Sequence, residues 1–104
     1  MARPFQNLAR LDLVSIRLLI MCIEEGSLAA AARKACISKT NASHRLATLE
    51  AAVGQALVIR DPRGVQPTDA GRSLAEHGRK ILECIERLNE AFATGEGPAR
   101  WPLS

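Results

Sequence analysis

Apolar and polar positions divide the chain into three short helical stretches, a brief hairpin and one long helix. After a polar lead over 1–10, Asp12 stands where a helix cap is wanted. Leu13, Ile16, Ile20 and Ile23 then recur on one helical face, and Val14, Leu18, Met21 and Cys22 on the adjoining one. So wide an apolar surface predicts a central helix packed on two sides, closed at Glu24-Glu25-Gly26 by a glycine that supplies the left-handed turn. Ser27 caps a short second helix through Leu28, Ala31, Ala32 and Ala35. The alanine run from Ala29 to Ala32 favours helix and leaves little bulk, so another helix can cross closely and steeply.

Cys36-Ile37 forms a tight turn with Ile37 pointing inward, and Ser38 caps a third helix. Within it Ala42, Leu46, Leu49 and Val53 repeat at helical spacing until Gly54 stops it. Leu57 to Arg60 reads as a strand, Asp61-Pro62-Arg63-Gly64 as a turn, and Val65 to Pro67 as a returning edge strand. Thr68 caps the last helix, with Asp69 favourably placed at the positive end of its dipole. Along it Leu74, Gly78, Ile81, Ile85, Leu88 and Phe92 alternate steps of four and three, a heptad seam among charged neighbours. Such a helix extends about 35 Å, so the seam is expected to pair with a second copy rather than only with its own domain.

The predicted fold is therefore mainly α: a winged helix-turn-helix, with a three-helix core plus β-hairpin wing, followed by a long dimerisation or linker helix. Residues 11–67 form the reading domain, 68–94 the linker helix, and 1–10 and 95–104 flexible ends.

Composition narrows the partners. The chain of 104 residues, 47% hydrophobic, supports one small domain. Its few aromatics (Phe5, Phe92, Trp101) argue against a stacking platform for single strands, so a duplex is the expected nucleic acid. Net charge is +3, yet from Gly26 to Arg72 seven basic residues stand against three acidic, a local +4 that leaves −1 elsewhere. Cys22, Cys36 and Cys84 lack paired or metal-ligand spacing and read as reduced core cysteines of a cytoplasmic protein. No metal or cofactor is expected, and the longest apolar run, Leu18 to Ile23, is too short to cross a bilayer. Catalysis is not expected either: Ser43 and His44 are helix neighbours about 100° apart, with no carboxylate to orient the imidazole.

The third helix carries Lys39, Thr40, Asn41, Ser43, His44, Arg45 and Thr48 opposite its apolar face, as a major-groove helix requires. Arg45 and Lys39 are candidates for guanine edges, Asn41 for adenine, and Thr40, Ser43, His44 and Thr48 for bases or phosphates. Ser27 and Ser38 offer hydroxyls and helix amides to phosphates. Arg60 and Arg63, near the wing tip, are expected to hold the flanking backbone or minor groove.

Glu24-Glu25-Gly26-Ser27, Ala31-Ala32, Ile37-Ser38, Ser43, Leu46, Leu49-Glu50, Gly54, Leu57, Arg60 and Thr68-Asp69-Ala70-Gly71 together resemble the N-terminal domain of LysR-type transcriptional regulators. The resemblance, from Leu11 to Phe92, implies dimers formed through the linker helix and binding to partly palindromic promoter operators. It also implies that a full-length protein continues into an effector-binding domain of two α/β lobes, for which this chain has no counterpart. The ending Gly97-Pro98-Ala99-Arg100 reads as a linker and favours a region cut from such a regulator.

Six residues, in four groups, depart from the family pattern. Lys39-Thr40 stands where Gln-Pro is usual, Ala47 and Thr48 where basic residues are common, Val58 where an aromatic precedes the wing, and Ala35 where a leucine is usual. The first two alter the reading surface and leave the fold intact. The molybdate-responsive regulators open with a similar domain but carry a longer glycine-rich wing. A protein-interaction module, dimerising with full-length regulators as a dominant-negative partner, is the alternative of another class.

Overall fold

Each helix begins where a side chain satisfies its free amides. The computed structural model describes residues 11–94; the expected flexible ends, 1–10 and 95–104, lie outside the described residues. In α1 (Leu13–Glu25) the Asp12 carboxylate accepts from the Ser15 amide at 2.7 Å and from its hydroxyl at 3.1 Å. The Ser27 hydroxyl accepts from Ala30 N at 3.1 Å to open α2 (Leu28–Ala35), and that of Ser38 from Asn41 N at 3.0 Å to open α3 (Lys39–Val53). Thr68 does the same for α4 (Asp69–Thr94), accepting from Gly71 N at 3.0 Å. Such caps are worth about 1 kcal/mol each.

α1 is the hub, touching α2, α3, α4 and the second strand of the wing. Leu18, Leu19, Cys22, Ala31, Ala42, Leu46, Leu49 and Leu57 are enclosed around it. The alanines of α2 make the expected close crossing, with Ala31 and Ala32 both buried. Helix ends corrected the α1 pattern: Leu13 and Val14, expected on its apolar faces, are 43% and 58% exposed, whereas Ser15 is buried beneath the Asp12 cap. α2 ends on Cys36 at φ 60°, a left-handed residue without glycine's freedom; its amide and that of Ile37 bond back into the last turn, and Ile37 packs on the core.

The wing pairs β1 (Val58–Asp61) with β2 (Gly64–Pro67) antiparallel, Val58 opposite Pro67 and Arg60 opposite Val65. Leu57, expected in the strand, is instead a buried plug before it. At the root of the hairpin, Glu50 Oε2 accepts from Leu57 N at 2.8 Å, Thr68 N donates to Leu57 O at 3.0 Å, and the Thr68 hydroxyl donates to Ala56 O at 2.7 Å. α4 presses so closely on this root that a Cβ at Gly71 would collide with the Leu57 carbonyl.

The expected heptad seam divides in two. Leu74 and Gly78, with Ala75 and Leu82, pack on the domain itself, and a Cβ at Gly78 would come 2.5 Å from Ile16 Cγ2. Beyond them Ile85 is half-buried and Ile81, Leu88 and Phe92 are exposed. The period continues along the whole helix because α1 accepts its first part in the manner of a partner helix.

Only one of the three cysteines is in the core. Cys22 is buried, Cys36 and Cys84 exposed. Burial pushes the Cys22 thiol up to about 11, against the opposing pull of the Arg60 charge.

Three outcomes follow from this packing. With a thiol reagent near pH 8, two thiols should titrate fast and the third, Cys22, only on unfolding; three equal rates would refute its enclosure. Gly71→Ala should lower stability by about 2 kcal/mol or more in urea unfolding. At Gly54, where an added Cβ meets nothing within 4 Å, only the left-handed backbone should matter, so alanine there should cost about 1 kcal/mol.

Candidate nucleic-acid interface

α3 is held by its apolar face, Ala42, Leu46, Leu49 and Val53, so the opposite face must point to solvent. Lys39, Thr40, Asn41, His44 and Ala47 are exposed there. Thr40, His44 and Ala47 follow at steps of four and three and form one stripe. Ala47 was not among the expected reading residues, although its spacing from Thr40 already placed it there.

A shallow hollow of about 430 Å³ runs beside this stripe, between α3 and β1, with Arg60 on its far wall. Arg60 corrects the sequence expectation. It does not sit at the wing tip: its guanidinium turns back and donates to Ser43 Oγ at 3.1 Å, joining wing to helix. The tip is Pro62-Arg63, where Asp61 Oδ1 accepts from Arg63 N at 2.8 Å and shapes the turn. Two basic side chains expected together therefore stand at different places, Arg60 over α3 and Arg63 outward.

Arg45 departs further. It lies half-buried against α1, its Nη1 3.8 Å from Asp12 Oδ1 and its Nε enclosed without a hydrogen-bond partner. A guanidinium so placed is turned away from the stripe, and the expected guanine contact is not supported by its position. Thr48 is half-buried on the same side, lining a hollow with Asp12 and Ser15. The Asp12–Arg45 approach links residues far apart in the chain, so no local spacing could have announced it. Ser27 and Ser38 use their hydroxyls as caps, and Ser38 is exposed at the start of α3.

Ion pairing sharpens the charge pattern. Of the seven basic residues between Gly26 and Arg72, Lys34 pairs with Glu25 at 2.7 Å, Arg72 with Asp69 at 3.1 Å, and Arg45 approaches Asp12. The Glu25 carboxylate, by hydrogen bond and charge, holds the Lys34 ammonium above its ordinary range. Among the described residues, Arg33, Lys39, Arg60 and Arg63 face no carboxylate within ion-pair distance. Three of those four surround the outward face of α3 and the wing, where positive potential is consequently concentrated.

Among the described residues no group of three or more His, Cys, Asp or Glu side chains could hold a metal ion. No described helix is long and apolar enough to cross a membrane.

Comparison with known proteins agrees with this arrangement. The profile of the bacterial regulatory helix-turn-helix proteins, lysR family, matches residues 13–72. The nitrogen assimilation regulatory protein nac of Escherichia coli K12 is 40% identical over 76 residues, 73% of this chain and 25% of that protein. The transcriptional regulator TcbR of Pseudomonas sp. strain P51 is 33% identical over 75 residues, 72% of this chain and 26% of its own length. This chain thus spans about a quarter of the length of the curated relatives it matches.

Among solved structures, the CbnR DNA-binding domain in complex with DNA superposes with a TM-score of 0.76 at 30% identity, covering 86% of this chain and 99% of that one. The BenM DNA-binding domain with catB site 1 DNA gives 0.77 at 26% identity, covering 83% and 96%. On its profile match, its relatives and its four helices and wing, the chain belongs to the lysR family of bacterial regulatory helix-turn-helix proteins.

Proposed function

We propose that this chain is the sequence-specific, double-stranded DNA-binding domain of a bacterial transcriptional regulator, and that it acts without catalysis or cofactor in the cytoplasm. The observation that carries the reading is the outward face of α3. Lys39, Thr40, His44 and Ala47 stand free on it, and Arg60 is fastened beside them through Ser43. Short side chains at Thr40, Ser43 and Ala47 let a helix sit deep in a major groove, where bases are distinguishable. Lys39, Arg60 and Arg63 supply unpaired positive charge for the flanking phosphates, and Asn41 and Thr48 border the groove. The amides at the Ser27 and Ser38 caps add neutral donors to phosphates. The DNA complexes of the CbnR and BenM domains support this reading.

Two copies are proposed to pair through the outer part of α4. Ile81, Leu88 and Phe92 are 43%, 51% and 49% exposed at heptad spacing, with Ile85 between them, on the outer part of α4. A pair presents two reading helices, which suits a partly palindromic operator. Residues 11–67, together with the first turns of α4, then form the reading unit; the rest of 68–94 is the linker helix. In a longer regulator an effector-binding region is expected to follow.

Titration of a duplex chosen by binding-site selection tests the first proposal. Affinity should fall steeply between low and moderate salt, and Arg63→Ala should weaken all sequences alike while flattening the log–log salt slope by about 1. Binding indifferent to salt would overturn the DNA reading and favour a protein-interaction module. For the pairing, Leu88→Asp should give monomers in sedimentation with the domain still folded, and lower operator affinity at least about tenfold, whereas unchanged dimers would exclude the outer seam.

A further inference from the structure

His44 has a position shared by no other side chain of α3. It is exposed one turn beyond Thr40 and lines the hollows on both sides of the helix. The charged groups that face it are Lys39 and Arg45 of its own helix, Arg60 of β1 and Asp12 of the α1 cap. Its neighbours on the stripe are short or engaged. Ser43 accepts from Arg60, Arg45 is turned toward Asp12, and Ala47 has no polar side-chain atom. His44 is thus the long hydrogen-bonding side chain in the middle of the outward face.

A neutral imidazole offers one donor and one acceptor, whereas the charged ring offers two donors. The major-groove edge of guanine presents two acceptors, N7 and O6. The two N–H groups of the charged ring diverge, so one can donate to a guanine acceptor while the other donates to a phosphate oxygen. The neutral ring would present only a lone pair there, and nearby phosphates also favour the proton. Imidazoles ordinarily titrate near about 6.5, while Asp, Lys and Arg side chains ordinarily titrate well outside the range between pH 5.5 and 8.

We infer that His44 is the specificity-determining residue of α3 and reads a guanine edge as the imidazolium. It rests on the DNA-binding reading above and gives that reading a sign with pH. The complex holds the imidazole proton more firmly than the free protein does, so binding takes up a proton. Both affinity and preference for that guanine therefore rise as pH falls through the imidazole range and fade above it.

The test uses the 104-residue chain and a duplex selected from a random pool at about pH 5.5, with a scrambled duplex as comparison. Affinities are measured at about pH 8, 6.5 and 5.5 at fixed ionic strength. The selected duplex should bind roughly three- to tenfold tighter at the lowest pH, the span that one proton per protomer supplies. The gain should vanish in His44→Gln and when 7-deazaguanine replaces the guanine that His44 reads. It should persist in His77→Gln, because His77 lies on α4 with Nδ1 2.8 Å from the Ser73 carbonyl. A flat profile, or a gain that survives His44→Gln, would overturn the assignment. An equal gain on the scrambled duplex would put the ring on the phosphate backbone and overturn the guanine contact. Failure to select any duplex at either about pH 5.5 or about pH 8 would instead remove the DNA-binding reading itself, an outcome distinct from a flat pH profile.

Discussion

A two-stranded hairpin is barely stable alone, so the wing depends on what fastens it. The decisive bond is from the Val65 amide to the Gly26 carbonyl, 3.0 Å long, at the C-terminal end of α1. The same glycine ends α1 in a left-handed turn and hands the chain to Ser27, which starts α2. One residue therefore fixes three things together: where α1 stops, where the helix-turn-helix starts, and how far the hairpin stands from α3. The opposite end of the wing is closed by Glu50, Leu57, Thr68 and Gly71, so both strands leave from anchored points. Only with both ends held can Arg60 reach Ser43 across the gap.

The balance of polar contacts on α3 follows from that anchoring. Ser43 sits at the border of buried and open surface, and its hydroxyl is used to hold a guanidinium rather than left to solvent. Arg45, one position past the stripe, falls toward α1, where the Asp12 carboxylate and a neighbouring apolar groove receive its long side chain. Two residues of similar chemistry and adjacent promise in the sequence, Arg45 and Arg60, thus exchange places. The helix residue turns inward and the strand residue comes to the groove.

Much of the fold was legible because its signals are local. Caps at Asp12, Ser27, Ser38 and Thr68, stops at Gly26 and Gly54, and the alanine run of α2 each act within one turn of helix, and each marked its element correctly. The first strand began a residue later than its composition indicated, because Leu57 is recruited to the core. Periodicity gave the outward face of α3 but not the direction of its long side chains, which depends on Asp12, far back in the chain. Periodicity likewise could not say where the seam on α4 changes partner, since Leu74 and Phe92 follow one rhythm while one packs on the core and the other is half exposed to solvent. The exposure of Cys36 was hidden for a related reason. Its small apolar side chain fits a core composition, yet it occupies the left-handed end of α2.

The way α4 is seated, with Gly78 tight on Ile16 and Ile81 already open, makes it a shaft keyed to its reading head. Each residue of an α-helix advances about 100° around the axis, so the length of helix beyond Leu82, which still packs on the core, sets the angular phase between groove and partner. Adding or removing a single residue just after Leu82 would leave the docked segment whole and swing Ile85, Leu88 and Phe92 about it by more than a quarter turn. Sequence drift can thus alter the composition of either surface more freely than it can alter the length of helix between them.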